Sequence, residues 1–161
     1  MGYIIGRIGG SLIGYSIDIR ENKGLISGRV GGIFDGNDVE LNFSNDEIYG
    51  RVGGVILGKD VNCQINGDSL YGRIGGEIIG NDINIIGYKQ IEGRYGGDFI
   101  GFDIRLSFDG VYLTGRLGGS IIGFDVDLQI DGFSPLIAAL IAAIEYDIYR
   151  EKHRSNGNAS N

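Results

Sequence analysis

Five aspartates, Asp38, Asp60, Asp82, Asp103 and Asp125, recur at near-constant spacing, interleaved with Arg7, Arg29, Arg51, Arg73, Arg94 and Arg116. A carboxylate series of this kind could hold calcium, and the phrase G-R-φ-G-G around each arginine (φ apolar) could cradle phosphate. Neither chemistry fits the spacing. Calcium-binding β-rolls use a G-G-x-G-x-D nonapeptide, and a phosphate loop needs a following helix and a Lys-Ser/Thr pair. Opposite charges at a fixed period in strand-like sequence have a simpler use, cross-strand pairing worth about 0.2–1 kcal/mol each. His153 is the only histidine, in "YREKHR", where a cation complements the C-terminal end of a helix dipole. Cys63 is the only cysteine and stands where other copies of the phrase carry Ile or Leu, so a buried apolar role is expected, with no disulfide or cysteine-based metal site. No nucleophile, base and orienting residue fall into a recognisable catalytic pattern. The expectation is a protein without catalytic, metal or cofactor-binding residues.

The elements that position these charges follow from the repeat. Gly6, Gly28, Gly50, Gly72, Gly93 and Gly115 open copies of G-R-φ-G-G-x-φ-x-G-x-D-φ-x-φ, spaced 22, 22, 22, 21 and 22 residues apart. Val126, Leu128 and Ile130 alternate with Asp127, Gln129 and Asp131, the period of a strand with one buried face. Two strands per copy make twelve. An antiparallel meander and a parallel β-helix with 22-residue coils both match the period. The junctions "FDGV" and "INGD" favour the meander, because Asp-Gly and Asn-Gly accept the positive φ of a two-residue hairpin turn.

A turn centred on Asp109-Gly110 sets Leu106 opposite Leu113 on the apolar face and Asp103 opposite Arg116 on the polar face. The same register pairs Asp38 with Arg51, Asp60 with Arg73 and Asp82 with Arg94, and sets Ser16 opposite Arg29. Arg7 and Asp125 are left over, and they meet if the sheet closes. Closure also removes exposed edges. The second connection, around Gly36-Asn37, Gly58-Lys59, Gly80-Asn81 and Gly123-Phe124, stays open between a tight turn and a wider loop. Two tight turns per copy would stagger the strands beyond the usual barrel tilt of about 35–45°.

"SPLIAALIAAIEYDIY" resembles nothing before it. Ser134 suits a helix N-cap and Pro135 the first helical position. The helix is apolar on every side and must be surrounded. Residues 136–148 span about 20 Å, the height of a barrel of short tilted strands. Twelve strands make a barrel about 24 Å across, room for one slim helix. Ala138, Ala139, Ala142 and Ala143 keep it slim, and inward-facing glycines such as Gly115 and Gly119 are expected to let the wall approach. The reading is one mainly-β domain over 1–154, a 12-stranded antiparallel closed barrel with strands over 3–132 and the helix over 135–153. Residues 155–161 are expected as a disordered tail, where the N-A-S sequon means nothing in a cytoplasmic protein.

Twelve antiparallel strands round a hydrophobic C-terminal helix resemble the plan of the tubby-like superfamily: tubby C-terminal domains, phospholipid scramblases and plant LURP-one-related proteins. "GGDFIGFDIRLSFDGVYLTG" (Gly96 to Gly115) is similar to the strand phrase of the last group, and "SPLIAALIAAIEYDIY" to its core helix. The resemblance implies the barrel fold. It is compatible with a non-enzymatic binding or scaffold module for an unidentified protein or lipid. Its scramblase branch implies a peripheral membrane-lipid role, for which Arg150, Lys152 and Arg154 near the helix exit are the candidate contacts.

Composition narrows the partners. A net charge of −7 argues against a nucleic-acid partner, which needs a basic face, and weakens attraction to anionic lipids. The apolar run 136–144 is about half a membrane span, so no transmembrane segment is expected. The start "MGYIIGRIGG" has neither a secretory nor a myristoylation pattern, so a cytoplasmic location is expected. With a single Thr, Thr114, the sequence argues against an ice-binding face, which relies on arrays of Thr. Outward Tyr49 and Tyr71 read as good strand formers.

Overall fold

The computed structural model describes residues 1–10, 13–31, 35–56, 58–75 and 78–159, the last five by backbone alone. Each repeat contributes two strands. They are β1 (Gly2–Gly9), β2 (Gly14–Asn22), β3 (Leu25–Val30), β4 (Asn37–Ser44), β5 (Glu47–Val52) and β6 (Lys59–Asn66), then β7 (Ser69–Gly75), β8 (Gly80–Gly87), β9 (Gln90–Tyr95), β10 (Phe102–Phe108), β11 (Tyr112–Gly118) and β12 (Gly123–Asp131). All pair antiparallel with their chain neighbours, and β1 pairs with β12 to close the barrel. The closed meander excludes the parallel β-helix.

Alternation sends Ile4, Ile19, Ile48, Leu70, Ile104 and Leu128 inward against the helix α1 (Pro135–Ala159). Ser134 caps α1 by accepting the Leu136 amide at 3.3 Å on its Oγ. Residues 136–144 are buried on every side, as an all-apolar helix requires. The helix continues to Ala159, beyond the expected end at 153, so 155–159 prolong it; 160–161 lie outside the described residues. Because β12 ends at the tight-turn end, α1 enters the barrel there and leaves at the other.

The wall register differs from the sequence expectation by two residues. The hairpin turns centre one position later, on Lys23-Gly24, Asn45-Asp46 and Gly67-Asp68. Lys23-Gly24 and Asn45-Asp46 take positive φ at both central residues, whereas at Gly67-Asp68 only Gly67 does. At the β10–β11 turn, Asp109 sits ahead of the bend and its Oδ1 accepts the amides of Val111 at 2.9 Å and Tyr112 at 2.7 Å. Asp therefore acts as a turn initiator through its side chain and does not occupy the positive-φ position. The Tyr112 and Val111 amides hold its carboxyl below the usual range.

A slip of two residues leaves every side chain on its face, because the strand period is two, but it changes every partner. Arg51 faces Glu40 and not Asp38; Arg73 faces Asn62 and not Asp60. Arg94 faces Asn84 and not Asp82; Arg116 faces Arg105 and not Asp103. Arg29 faces Asp18 and not Ser16, and at the closing seam Arg7 lies opposite Asp127, with Asp125 opposite Gly9.

The aspartates meet arginines across the other connection. Arg29–Asp38, Arg51–Asp60, Arg73–Asp82, Arg94–Asp103 and Arg116–Asp125 stand directly opposite and pair at 2.5–2.9 Å. That connection is the wider of the two alternatives: Gly118 pairs with Gly123 across a loop of four residues, 119–122, closed by the Gly119 amide on Ile122 O at 2.8 Å. The 21-residue copy is absorbed at the hairpin from Gly87 to Ile91, without disturbing the pairs on either side.

The repeat-opening glycines occupy positions of inward parity, yet none is buried and Gly115 is exposed; what requires glycine there is the neighbouring strand. A Cβ on Gly50 (φ +147) would stand 2.2 Å from Glu40 O, and one on Gly115 (φ +143) 2.3 Å from Arg105 O. Gly119, expected to face inward, lies exposed in a loop.

Candidate functional site

Six connections of the G-G type gather at the barrel end where α1 leaves. Their arginines do more than pair with aspartate. Arg51 Nη2 also donates to Gly54 O at 3.0 Å and Val55 O at 3.1 Å, and Arg94 Nη2 to Gly97 O at 2.9 Å and Asp98 O at 3.2 Å. Arg116 Nε donates to Gly119 O at 2.8 Å. One guanidinium thus holds a strand aspartate and the loop backbone together, a planar fork used on two acceptors. This explains the constancy of R-φ-G-G as loop clamping. Arg7 departs from the set: Asp125 is taken by Arg116, and the Arg7 guanidinium lies over Gly14.

What the loops at this end display is apolar. Val55 and Ile56 are 94% and 92% exposed, Ile78 and Ile79 95% and 85%, Phe99 101%, and Ile121 and Ile122 91% and 78%. Ile100 is 63% exposed and Ile13 43%. Leu12, Ile33, Phe34 and Leu57 occupy equivalent repeat positions outside the described residues. Paired exposed side chains on four loops at one end form a crown of tips, far beyond the scattered apolar residues that any surface carries. The signal in the sequence was the run of adjacent apolar residues before each glycine (Val55-Ile56-Leu57, Ile78-Ile79, Phe99-Ile100, Ile121-Ile122), which breaks the alternation of a strand with one buried face.

Inside this ring the end of α1 is tied to the rim. Glu145, 2% exposed, accepts two bonds from Asn37 Nδ2 at 2.9 and 3.1 Å. Burial pushes its carboxyl up to about 7, against the opposing pull of Asn37 and Lys152. Asp147 accepts Tyr95 Oη–H at 2.7 Å and lies 3.8 Å from Lys59 Nζ; burial raises its pKa and outweighs both partners. Lys59 pairs with Glu151 at 2.6 Å. Among the described residues no buried side-chain nitrogen or oxygen lacks a hydrogen-bond partner, so this acid–lysine–tyrosine cluster is satisfied internally and acts as a lock between helix and wall. Sequence reasoning missed both carboxylates, because "EYD" on an apolar helix gives no sign of the partners that meet it.

The three candidate helix cations gather at this end, two of them engaged. Arg150 donates to Ile100 O at 2.7 Å and lies over the Phe102 and Tyr146 rings at 5.3 and 5.6 Å. Lys152 pairs with Asp35 at 3.3 Å, and Arg154 is exposed. His153 is exposed, with Nδ1 2.9 Å from Tyr149 O. Beside the crown opens a depression of about 320 Å³ floored by Phe102 and Tyr146 and lined by Arg94, Arg105, Arg150 and one carboxylate, Asp103.

Elsewhere, Cys63 is buried on the inner face and its thiol is pushed up to about 12 by burial, which keeps it unreactive. Tyr49 and Tyr71 stand on the outer wall, about half exposed, with Tyr71 donating to Gln64 at 2.9 Å. Among the described residues no three of His, Cys, Asp or Glu cluster to hold a metal, and no helix is long and apolar enough to cross a membrane.

Comparison of the chain with protein-family models, with curated proteins and with solved structures finds no match.

Proposed function

We propose that this protein is a non-enzymatic barrel that docks onto a partner through its crown end. The observation that carries this reading is the set of apolar pairs held largely exposed on loops at one end, three of the loops clamped by arginine. Loop residues that served folding would be packed, and these touch little. The satisfied Asp147 cluster and the unreactive thiol of Cys63 support a binding role over a catalytic one. The plan of strands around a buried C-terminal helix supports reading the chain as a small tubby-like barrel, in which wall and helix form the scaffold and the loops the contact surface.

The test is to replace Val55, Ile56, Ile121 and Ile122 together with serine, and to follow thermal unfolding and the fluorescence of a hydrophobic dye. The docking reading expects an unfolding midpoint within a few degrees of wild type and loss of most dye binding. A collapse of the midpoint would make the tips folding elements, and unchanged dye binding would place the sticky surface elsewhere; either result overturns the reading.

A further inference from the structure

We infer that the outer wall carries a second binding site, a tyrosine–amide strip across β4 to β8 that takes the sugar rings of a neutral glycan. The strip is separate from the crown and does not depend on the docking reading above.

Its composition departs from the repeat that contains it. At the third position of D-φ-x-φ each copy sets one exposed side chain on the outer wall: Asp18, Glu40, Asn62, Asn84, Arg105 and Asp127. Four are charged, as suits a solvated wall, and the two asparagines fall in neighbouring copies. The residue ahead of each opening glycine also faces outward, and in those same two copies it is tyrosine, Tyr49 and Tyr71. Strand propensity accounts for the tyrosines but not for asparagine, which strands disfavour. Folding therefore explains only half of the strip.

The register brings the unusual residues together. Tyr49 stands directly between Asn42 and Asn62, and Tyr71 directly between Gln64 and Asn84. Tyr71 Oη–H donates to Gln64 Oε1 at 2.9 Å, which fixes that ring. The tyrosines lie two strands apart with an offset of two residues, so their Cα atoms are about 12 Å apart, on the order of a disaccharide unit. A half-exposed phenol ring offers an apolar face to the C–H side of a pyranose. Each amide carries both donors and an acceptor, the complement of sugar hydroxyls, which also do both.

Charge and size select the ligand class. None of the six side chains is charged, and the bordering Arg51, Arg73 and Arg94 are held by Asp60, Asp82 and Asp103. Glu40 and Glu47, which adjoin Asn42 and Gln64, are acidic and disfavour an anionic glycan. Six side chains also fall well short of the about 20–30 residues a side of a stable protein interface.

Depletion of the full chain from solution by cellulose, chitin and insoluble starch tests this, with heparin–agarose as the anionic control. Wild type is expected to be retained by at least one of the three neutral polymers and not by heparin. Tyr49→Ala with Tyr71→Ala should weaken retention by about tenfold or more. Asn62→Asp with Asn84→Asp puts at both positions the residue type of Asp18 and Asp127, which the wall already carries, and should weaken it as well. The crown variant with serine at 55, 56, 121 and 122 should bind as wild type does. Thermal unfolding of each variant checks that it is folded, and the asparagine pair decides the matter if the tyrosine pair does not fold. Retention by none of the neutral polymers, or by heparin alone, would overturn the inference. So would retention that survives the strip substitutions or is lost with the crown ones. Absence of retention together with self-association that the tyrosine changes abolish would overturn the glycan and make the strip a protein contact.

Discussion

The two ends of this barrel come from the same repeat and are built on opposite principles. At one end the turns are tight and polar: Lys23-Gly24, Asn45-Asp46 and Gly67-Asp68 bend the chain in two residues. At the other, loops of four to six residues held by Arg51, Arg94 and Arg116 present apolar tips to solvent. Strand pairing needs only that each connection close, so folding does not demand the difference. The lesson is that one end is spent on the fold and the other is held ready for contact, with arginine making an apolar loop rigid without burying it.

The contrast can be broken first at the glycines. Gly50→Ala forces a Cβ against Glu40 O at positive φ and should cost about 2–3 kcal/mol in denaturant unfolding. Gly54→Ala, in a crown loop with nothing within 4 Å of the added carbon, should cost less than about 1 kcal/mol. Equal effects would mean that the crown loops are as constrained as the wall.

A second test uses the lock between helix and crown end. The Glu145 carboxyl rises from 4.5 to about 7 on folding, so the folded chain holds this proton more tightly than the unfolded one. The stabilisation from proton uptake is full below pH about 4.5 and is lost as pH rises through about 7, an effect of about 3 kcal/mol. Glu145→Gln should flatten that part of the pH–stability curve, measured as the urea midpoint. A wild-type midpoint that fails to rise as pH falls through this window would show that Glu145 is solvated.

A smaller effect is expected at the clamp. Arg116→Gln removes the Asp125 pair and the bond to Gly119 O and should cost about 1 kcal/mol. It should also speed amide exchange at Gly119, whose N–H closes the loop on Ile122 O, and leave the Asp109 turn unaffected. The smallest change sharpens the comparison most. Ile78→Ser, at a side chain 95% exposed, should alter stability by less than about 0.5 kcal/mol; a larger loss would place Ile78 in the fold.

Much of the wall was legible because alternation and repeat are one-dimensional signals. Ile4, Leu106 and Val126 announce their face by parity, and the all-apolar helix announces its own enclosure. The crown was half legible: the doublet Ile121-Ile122 breaks alternation, but a broken alternation does not say whether the extra residue is packed. The ion pairs were legible as a kind and not as partners. Arg116 needs an aspartate, and Asp103 and Asp125 both satisfy parity.

The sequence by itself determined the repeat, the number of strands, which face of each is buried, and that the last segment must be surrounded. These depend only on periods along the chain. Tertiary structure alone decided which aspartate each arginine holds, since a slip of two residues leaves every face unchanged. It also decided that Glu145 and Asp147 are buried beside Asn37 and Tyr95, residues 108 and 52 positions away. The crown was decided there too, because exposure belongs to a loop's place at the rim and not to any residue in it.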